Sequence, residues 1–275
     1  MNVDENGAAD VDGHETSDGM RLEVDATSRV AVLRLDRPPV NALDPVLWTR
    51  IGELVDEAEA RDDIGALVIW GGPRVFAAGA DIRSMVGMTM LDYRKHGTNL
   101  QRSLAKLSAM PKVSIAAVNG YALGGGCEIA LAADLRYVAK DATFGLPEVS
   151  LGIMPGAGGT QRLQRLIGLS RAKDLVLTGR SIDADTARDF GLANRVFEPT
   201  EVITEAIADA AKFARGPASL GLAKQALEDG GEMALSLGLR LESALLASCF
   251  ATDDAQQGLA SFVRSGPGKA RFSGR

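Results

Sequence analysis

The stretch Val113–Ala133, VSIAAVNGYALGGGCEIALAA, decides the fold. Its first six residues, Val113–Val118 (VSIAAV), combine β-branched and small side chains and predict a buried strand. Three consecutive glycines, Gly124 to Gly126, follow within a few residues. Glycine is costly in both strands and helices, so a run of three makes sense where backbone must pass close to something else. A helix is expected over Cys127–Ala133. Its first turn has N–H groups with no intrahelical acceptor and carries partial positive charge, a ready site for a developing oxyanion. Glu128 stands in that turn, where a carboxylate is also favoured by the helix dipole alone.

Working outward, the same strand-then-helix pattern recurs. Val30–Leu35 (VAVLRL), Ala66–Trp70 (ALVIW) and Leu135–Val138 (LRYV) read as further strands. Asp44 reads as an N-cap with Pro45 at the first helical position, opening a helix through Leu47, Ile51, Leu54 and Val55. Another helix is expected over Tyr93–Leu107, stopping before Pro111. Beyond about residue 165 strand signals disappear, and Thr200–Ala214, Ala218–Leu227 and Leu235–Phe250 read as helices. The expected organisation is therefore α/β: a core over 20–200, a helical region over 201–275, and a disordered acidic tail over 1–19.

The tail explains the charge. The net charge is −6, and residues 2–19 contain Asp4, Glu5, Asp10, Asp12, Glu15 and Asp18 with no Lys or Arg. A segment so poor in large apolar side chains cannot offset its ordering entropy. The remainder is neutral, which argues against nucleic acid as a partner. No apolar run reaches the roughly 20 residues of a membrane span. With only Cys127 and Cys249, a disulfide framework is not expected, and a reducing cytoplasm is.

Two more segments carry candidate chemistry. Phe76–Arg83, FAAGADIR, is rich in small residues that let a ligand approach backbone N–H groups, although alone it reads as a tight connection. Phe144–Glu148 (FGLPE) places Glu148 after a proline among apolar neighbours. If desolvated, its carboxyl has a raised pKa and serves as a general acid; otherwise it is a surface loop glutamate. Within Gly152–Arg162 (GIMPGAGGTQR), Gly156–Thr160 (GAGGT) resembles a dinucleotide fingerprint only superficially, since the third glycine, a convincing preceding strand and the acid about 20 residues on are missing. There is no Walker loop and no GxSxG. The two histidines, His14 and His96, leave neither a hydrolase triad nor a zinc site. No metal is expected, and acid/base chemistry falls to carboxylates.

Taken together and in register, DRPPVNAL (36–43), FAAGADI, AAVNGYALGGGCEIALAADLRYVA, FGLPEVSLGIMPGAGGTQRL and the terminal GLASFVRSGPGKARFSGR closely resemble the crotonase (enoyl-CoA hydratase/isomerase) superfamily, over roughly residues 22–275. The resemblance implies a ClpP/crotonase-like spiral of β-β-α units with a helical C-terminal trimerisation region, assembled as a homotrimer or hexamer. It implies an acyl-CoA substrate, no separate cofactor, and an oxyanion hole from the backbone N–H groups of Ala80 and Gly125. Glu128 corresponds to the base that activates water and Glu148 to the acid that protonates the α-carbon. Water then adds syn to trans-2-enoyl-CoA, giving 3-hydroxyacyl-CoA. Ala78, Asp81, Ile82, Arg83 and Phe262 correspond to CoA-binding positions. One departure is Ser265, where many hydratases carry a basic residue that reaches CoA in the next subunit; Arg264 or Lys269 are the possible substitutes. The alternatives are a Δ3,Δ2-enoyl-CoA isomerase, which commonly keeps one of the two carboxylates, and a non-catalytic acyl-CoA-binding protein.

Overall fold

The computed structural model describes residues 19–274; the expected acidic tail lies outside them except for Gly19. Nine strands form two sheets. They are β1 (Met20–Asp25), β2 (Val30–Leu35), β3 (Ala66–Trp70), β4 (Val113–Val118), β5 (Tyr121–Leu123), β6 (Leu135–Ala139), β7 (Thr143–Gly145), β8 (Ser181–Asp183) and β9 (Arg195–Phe197). The larger sheet has the order β1-β2-β3-β4-β6-β9, and the smaller β5-β7-β8. Only β1 runs antiparallel in the larger sheet, with Leu22 opposite Leu33. From β2 to β9 the neighbours are parallel. Parallel strands are covered on both faces, which is why β3 is a continuous apolar run and β4 is apolar except for Ser114.

The helices are α1 (Pro45–Ala60), α2 (Ile82–Met85), α3 (Met90–Asp92), α4 (Thr98–Ala109), α5 (Gly125–Ala132), α6 (Gly159–Ile167), α7 (Leu169–Thr178), α8 (Ala184–Asp189), α9 (Val202–Ala214), α10 (Ser219–Gly231), α11 (Leu235–Cys249) and α12 (Asp253–Ser265). The expected β-β-α repeat is visible. β4, β5 and α5 make one unit, with the first strand in the large sheet and the second in the small one. β6, β7 and α6 make the next. Before them, β3 leads into Ala77, which bridges to Ala122 of β5, and then into α2.

The N-cap of α1 has the expected form: Asp44 Oδ1 accepts from Val46 N and Leu47 N, each at 3.0 Å. Three expectations change. Strands do occur beyond residue 165, as β8 and β9, but three residues are too few for a periodic signal. The helix expected from Tyr93 begins as a π-helical turn, Tyr93–Gly97, before α4 takes over. The helix α5 starts inside the triple glycine, at Gly125, two residues earlier than expected.

Buried polar groups tie helices to the large sheet. Tyr137 Oη on β6 donates to Asp209 of α9 at 2.6 Å. Lys224 of α10 donates to Asp134 at 2.9 Å. Beyond α10 little is buried apart from Asp254 and Ser261 of α12. No residue of α11 is buried, and Leu235, Leu246, Phe250 and Val263 lie exposed on α11, its C-cap and α12. Among the described residues, no single helix is long and apolar enough to cross a membrane.

Candidate active site

Four of the residues singled out from the sequence surround one cavity of about 540 Å³: Ala80, Gly125, Glu128 and Glu148. Each comes from a different local construction. Ala80 is placed by Leu43, whose N–H donates to Gly79 O at 2.8 Å and whose carbonyl accepts from Asp81 N at 2.9 Å. This parallel bridge turns the Ala80 N–H the other way, and among the described residues it has no acceptor. Asn41 anchors the preceding loop. Its Nδ2 donates to the carbonyls of Gly71, Val75 and Phe76 at 2.7, 3.1 and 3.0 Å. That role is not legible from a lone Asn in a Pro-rich stretch.

Gly125 is the first residue of α5, so its N–H has no intrahelical acceptor. A methyl built on Gly125 would stand 3.9 Å from Ala80 N, so the two N–H groups are neighbours. Gly124 precedes them at φ 51°, ψ −125°, a conformation open to glycine. A methyl there would approach Glu148 Oε1 to 3.3 Å. The glycine run therefore serves close approach as well as turning.

Glu128 is 3 % exposed. Its Oε1 accepts two backbone N–H bonds, from Ala157 at 2.7 Å and Gly159 at 2.8 Å. The donors lie in the Gly156–Gly159 turn, where Gly158 adopts φ 112°. This is the stretch whose likeness to a dinucleotide fingerprint is only superficial; its N–H groups bind a protein carboxylate. Burial raises the Glu128 pKa, and the two N–H groups oppose that shift.

Glu148 sits on a single 3-10 turn, Pro147–Leu151. Its Oε2 is buried and has no hydrogen-bond partner among the described residues. Burial pushes its pKa up to about 7, with the Glu128 charge adding to the shift. Cys127, beside Glu128 in sequence, is fully enclosed, and burial pushes its thiol far above neutrality, so it is not a nucleophile.

The remaining sequence candidates divide. Ala78 and Ile82 line the cavity. Asp81 and Arg83 do not: Asp81 caps α2 by accepting from Arg83 N at 3.2 Å and pairs with Arg37 at 2.9 Å. Phe262 lies on α12, 60 % exposed and away from the cavity wall. Met85 lines the cavity but Val86–Met90 do not; Trp48, Tyr93, Leu100 and Met154 complete much of the apolar wall. Tyr93 has no signal in the sequence beyond an aromatic at the start of a helix. Among the described residues no cluster of three or more His, Cys, Asp or Glu could hold a metal ion.

The chain matches the family model described as Enoyl-CoA hydratase/isomerase over residues 25–274. It is 43 % identical over 249 residues to the 2,3-dehydroadipyl-CoA hydratase of Escherichia coli, covering 88 % of this chain and 95 % of that one. It is 40 % identical over 238 residues to the short-chain-enoyl-CoA hydratase of Clostridium acetobutylicum, covering 86 % and 91 %. Among solved structures, the enoyl-CoA hydratase of Bacillus anthracis superposes with a TM-score of 0.87 at 33 % identity, covering 94 % of this chain and all of that one.

Proposed function

The chain belongs to the enoyl-CoA hydratase/isomerase family, and from that premise we propose that it is an enoyl-CoA hydratase, adding water across the α,β double bond of a fatty acyl-CoA thioester. The observation that carries this reading is the asymmetry of two carboxyl groups on one cavity. Glu128 is held by two N–H donors on one oxygen, which oppose the upward push of burial on its pKa. Glu148 has an unpartnered oxygen and a pKa raised to about 7, which favours its protonated form. A base and an acid are thereby separated by environment alone.

The thioester oxygen accepts hydrogen bonds from Ala80 N–H and Gly125 N–H. Glu128 takes a proton from a water whose oxygen bonds to the β-carbon. The π electrons of the double bond move toward the α-carbon, which takes the proton of Glu148. The sum is one water added, with Glu128 left protonated and Glu148 ionised until they exchange protons with solvent. Charge that builds on the thioester oxygen meets preorganised N–H groups in a water-poor site, and one such donor is typically worth about 3–4 kcal/mol. An isomerase needs only one carboxylate, so a pair on the same cavity favours hydration. An acyl-CoA carrier needs neither.

The exposed apolar side chains of α10 to α12 support assembly into a homotrimer or hexamer, with these helices between subunits. Size-exclusion chromatography with light scattering reads the mass; a monomer at micromolar concentration removes that part of the proposal. The activity is tested by incubating the protein with crotonyl-CoA and following the enoyl-thioester absorbance. Loss of absorbance that vanishes in Glu148→Gln supports hydration; tight binding with no loss by the wild type supports a carrier.

A further inference from the structure

Tyr93 crosses the cavity. Its ring lies on Gly97, where an added Cβ would come within 2.4 Å of the ring carbons. Its hydroxyl reaches Gly156, where an added Cβ would come within 2.4 Å of the oxygen. Both glycines line the cavity with Tyr93, one from the π-helical turn and one from the turn that holds Glu128. The side chain thus spans from one wall to the other. Glycine is not needed at position 97 for backbone reasons, since its φ of −67° is helical. The missing side chain there makes room for the ring. The hydroxyl has no hydrogen-bond partner among the described residues, so it is not held there by a polar contact. Burial and the Glu128 charge both push the phenol pKa up, which keeps it neutral beside an apolar chain.

We propose that Tyr93 is the specificity-determining residue of the acyl pocket, a crossbar beside Glu128 that limits the length of the acyl chain. The proposal rests on the hydratase reading above, which places the β-carbon between Glu128 and Glu148 and so sends the remaining chain carbons toward Tyr93. Each further methylene buried is worth about fourfold in binding. A barred pocket cannot realise that gain for a long chain. Leu151 and Met154 line the same cavity and are 54 % and 66 % exposed, apolar surface that a longer chain would cover.

The test is binding of two saturated thioesters, butyryl-CoA and decanoyl-CoA, by isothermal titration calorimetry, which does not depend on turnover. In Tyr93→Ala the ratio of decanoyl to butyryl Kd should fall at least tenfold. Tyr93→Phe keeps the ring and should leave the ratio within twofold of wild type. Gly97→Ala should displace the ring and lower the ratio at least threefold, but should do nothing in the Tyr93→Ala background, because the two act through one contact. An unchanged ratio in Tyr93→Ala, or a shift in Tyr93→Phe as large as in Tyr93→Ala, overturns the proposal. Failure to hydrate crotonyl-CoA with these binding shifts intact would instead remove the hydratase reading and leave the crossbar standing.

Discussion

Glu128 and Glu148 are the same side chain in two different constructions. Glu128 grows from an eight-residue helix, α5, every residue of which is buried, and its carboxylate is clasped by a second segment almost 30 positions on. Glu148 grows from one 3-10 turn with no buried residue, and its inner oxygen is left without a donor. The contrast teaches how one fold gives identical groups different electrostatic surroundings. Backbone donors lower the cost of charge at one carboxyl, and their absence raises it at the other.

The largest expected effect removes either role. Glu148→Gln and Glu128→Gln should each lower kcat for crotonyl-CoA by about 10²–10⁴-fold, the usual worth of general acid/base catalysis. Steady-state kinetics check this, and a variant near wild-type turnover shows that its carboxyl is not a proton-transfer group. Next, Gly159→Ala attacks the clasp alone. Its Cβ would meet Glu128 Oε1 and Leu146 Cδ1 at 3.0 Å, so a loss of about 1–3 kcal/mol of stability is expected from overpacking, read by urea denaturation, together with reduced kcat. Unchanged kcat would mean that the clasp does not set the base.

A smaller effect distinguishes the two carboxyls by pH. The folded-state pKa of Glu148 is raised to about 7 from 4.5. Its protonated form is therefore the one that folding favours. That contribution is fully present below pH 4.5 and is lost as pH rises through 7. Glu148→Gln should consequently be more stable than wild type at pH 8, by about 1–2 kcal/mol after discounting for solvent access, and not at pH 4. Parallel denaturation curves at the two pH values check the sign. Activity should fall above pH 7 for the same reason. The smallest effect is expected from Ser150→Ala. Its hydroxyl donates to Pro147 O at 2.7 Å on an exposed turn, and its loss should cost about 0.5 kcal/mol. A loss of several kcal/mol would mean that the Glu148 turn is held together far more locally than its packing indicates.

Much of this architecture is legible in the chain. β2, β3 and β4 are visible because strands covered on both faces are mostly apolar, and the start of α1 because Asp44-Pro45 is a capping signal with a direct mechanism. β1 is not, because MRLEVD is a half-buried edge strand with charged residues on its open face. The two glutamates and the two N–H groups stand out through small residues and a proline whose spacing resembles a known family. Asn41, Ala157, Gly159 and Tyr93 do not, because each acts on a partner remote in sequence. Asn41 reaches 35 residues along to Phe76, and Gly159 reaches back 31 to Glu128.

Local sequence determined where the longer parallel strands run, which segments turn on glycine, and which acids were available for proton transfer. Those properties depend on side-chain shape and backbone freedom within a few residues. Only the tertiary structure decided that two carboxyls share one cavity in different hydrogen-bonding surroundings, that a glycine turn holds a glutamate, and that a tyrosine spans the cavity. Desolvation and hydrogen bonding depend on what the fold brings near, and no window of neighbouring residues contains that information.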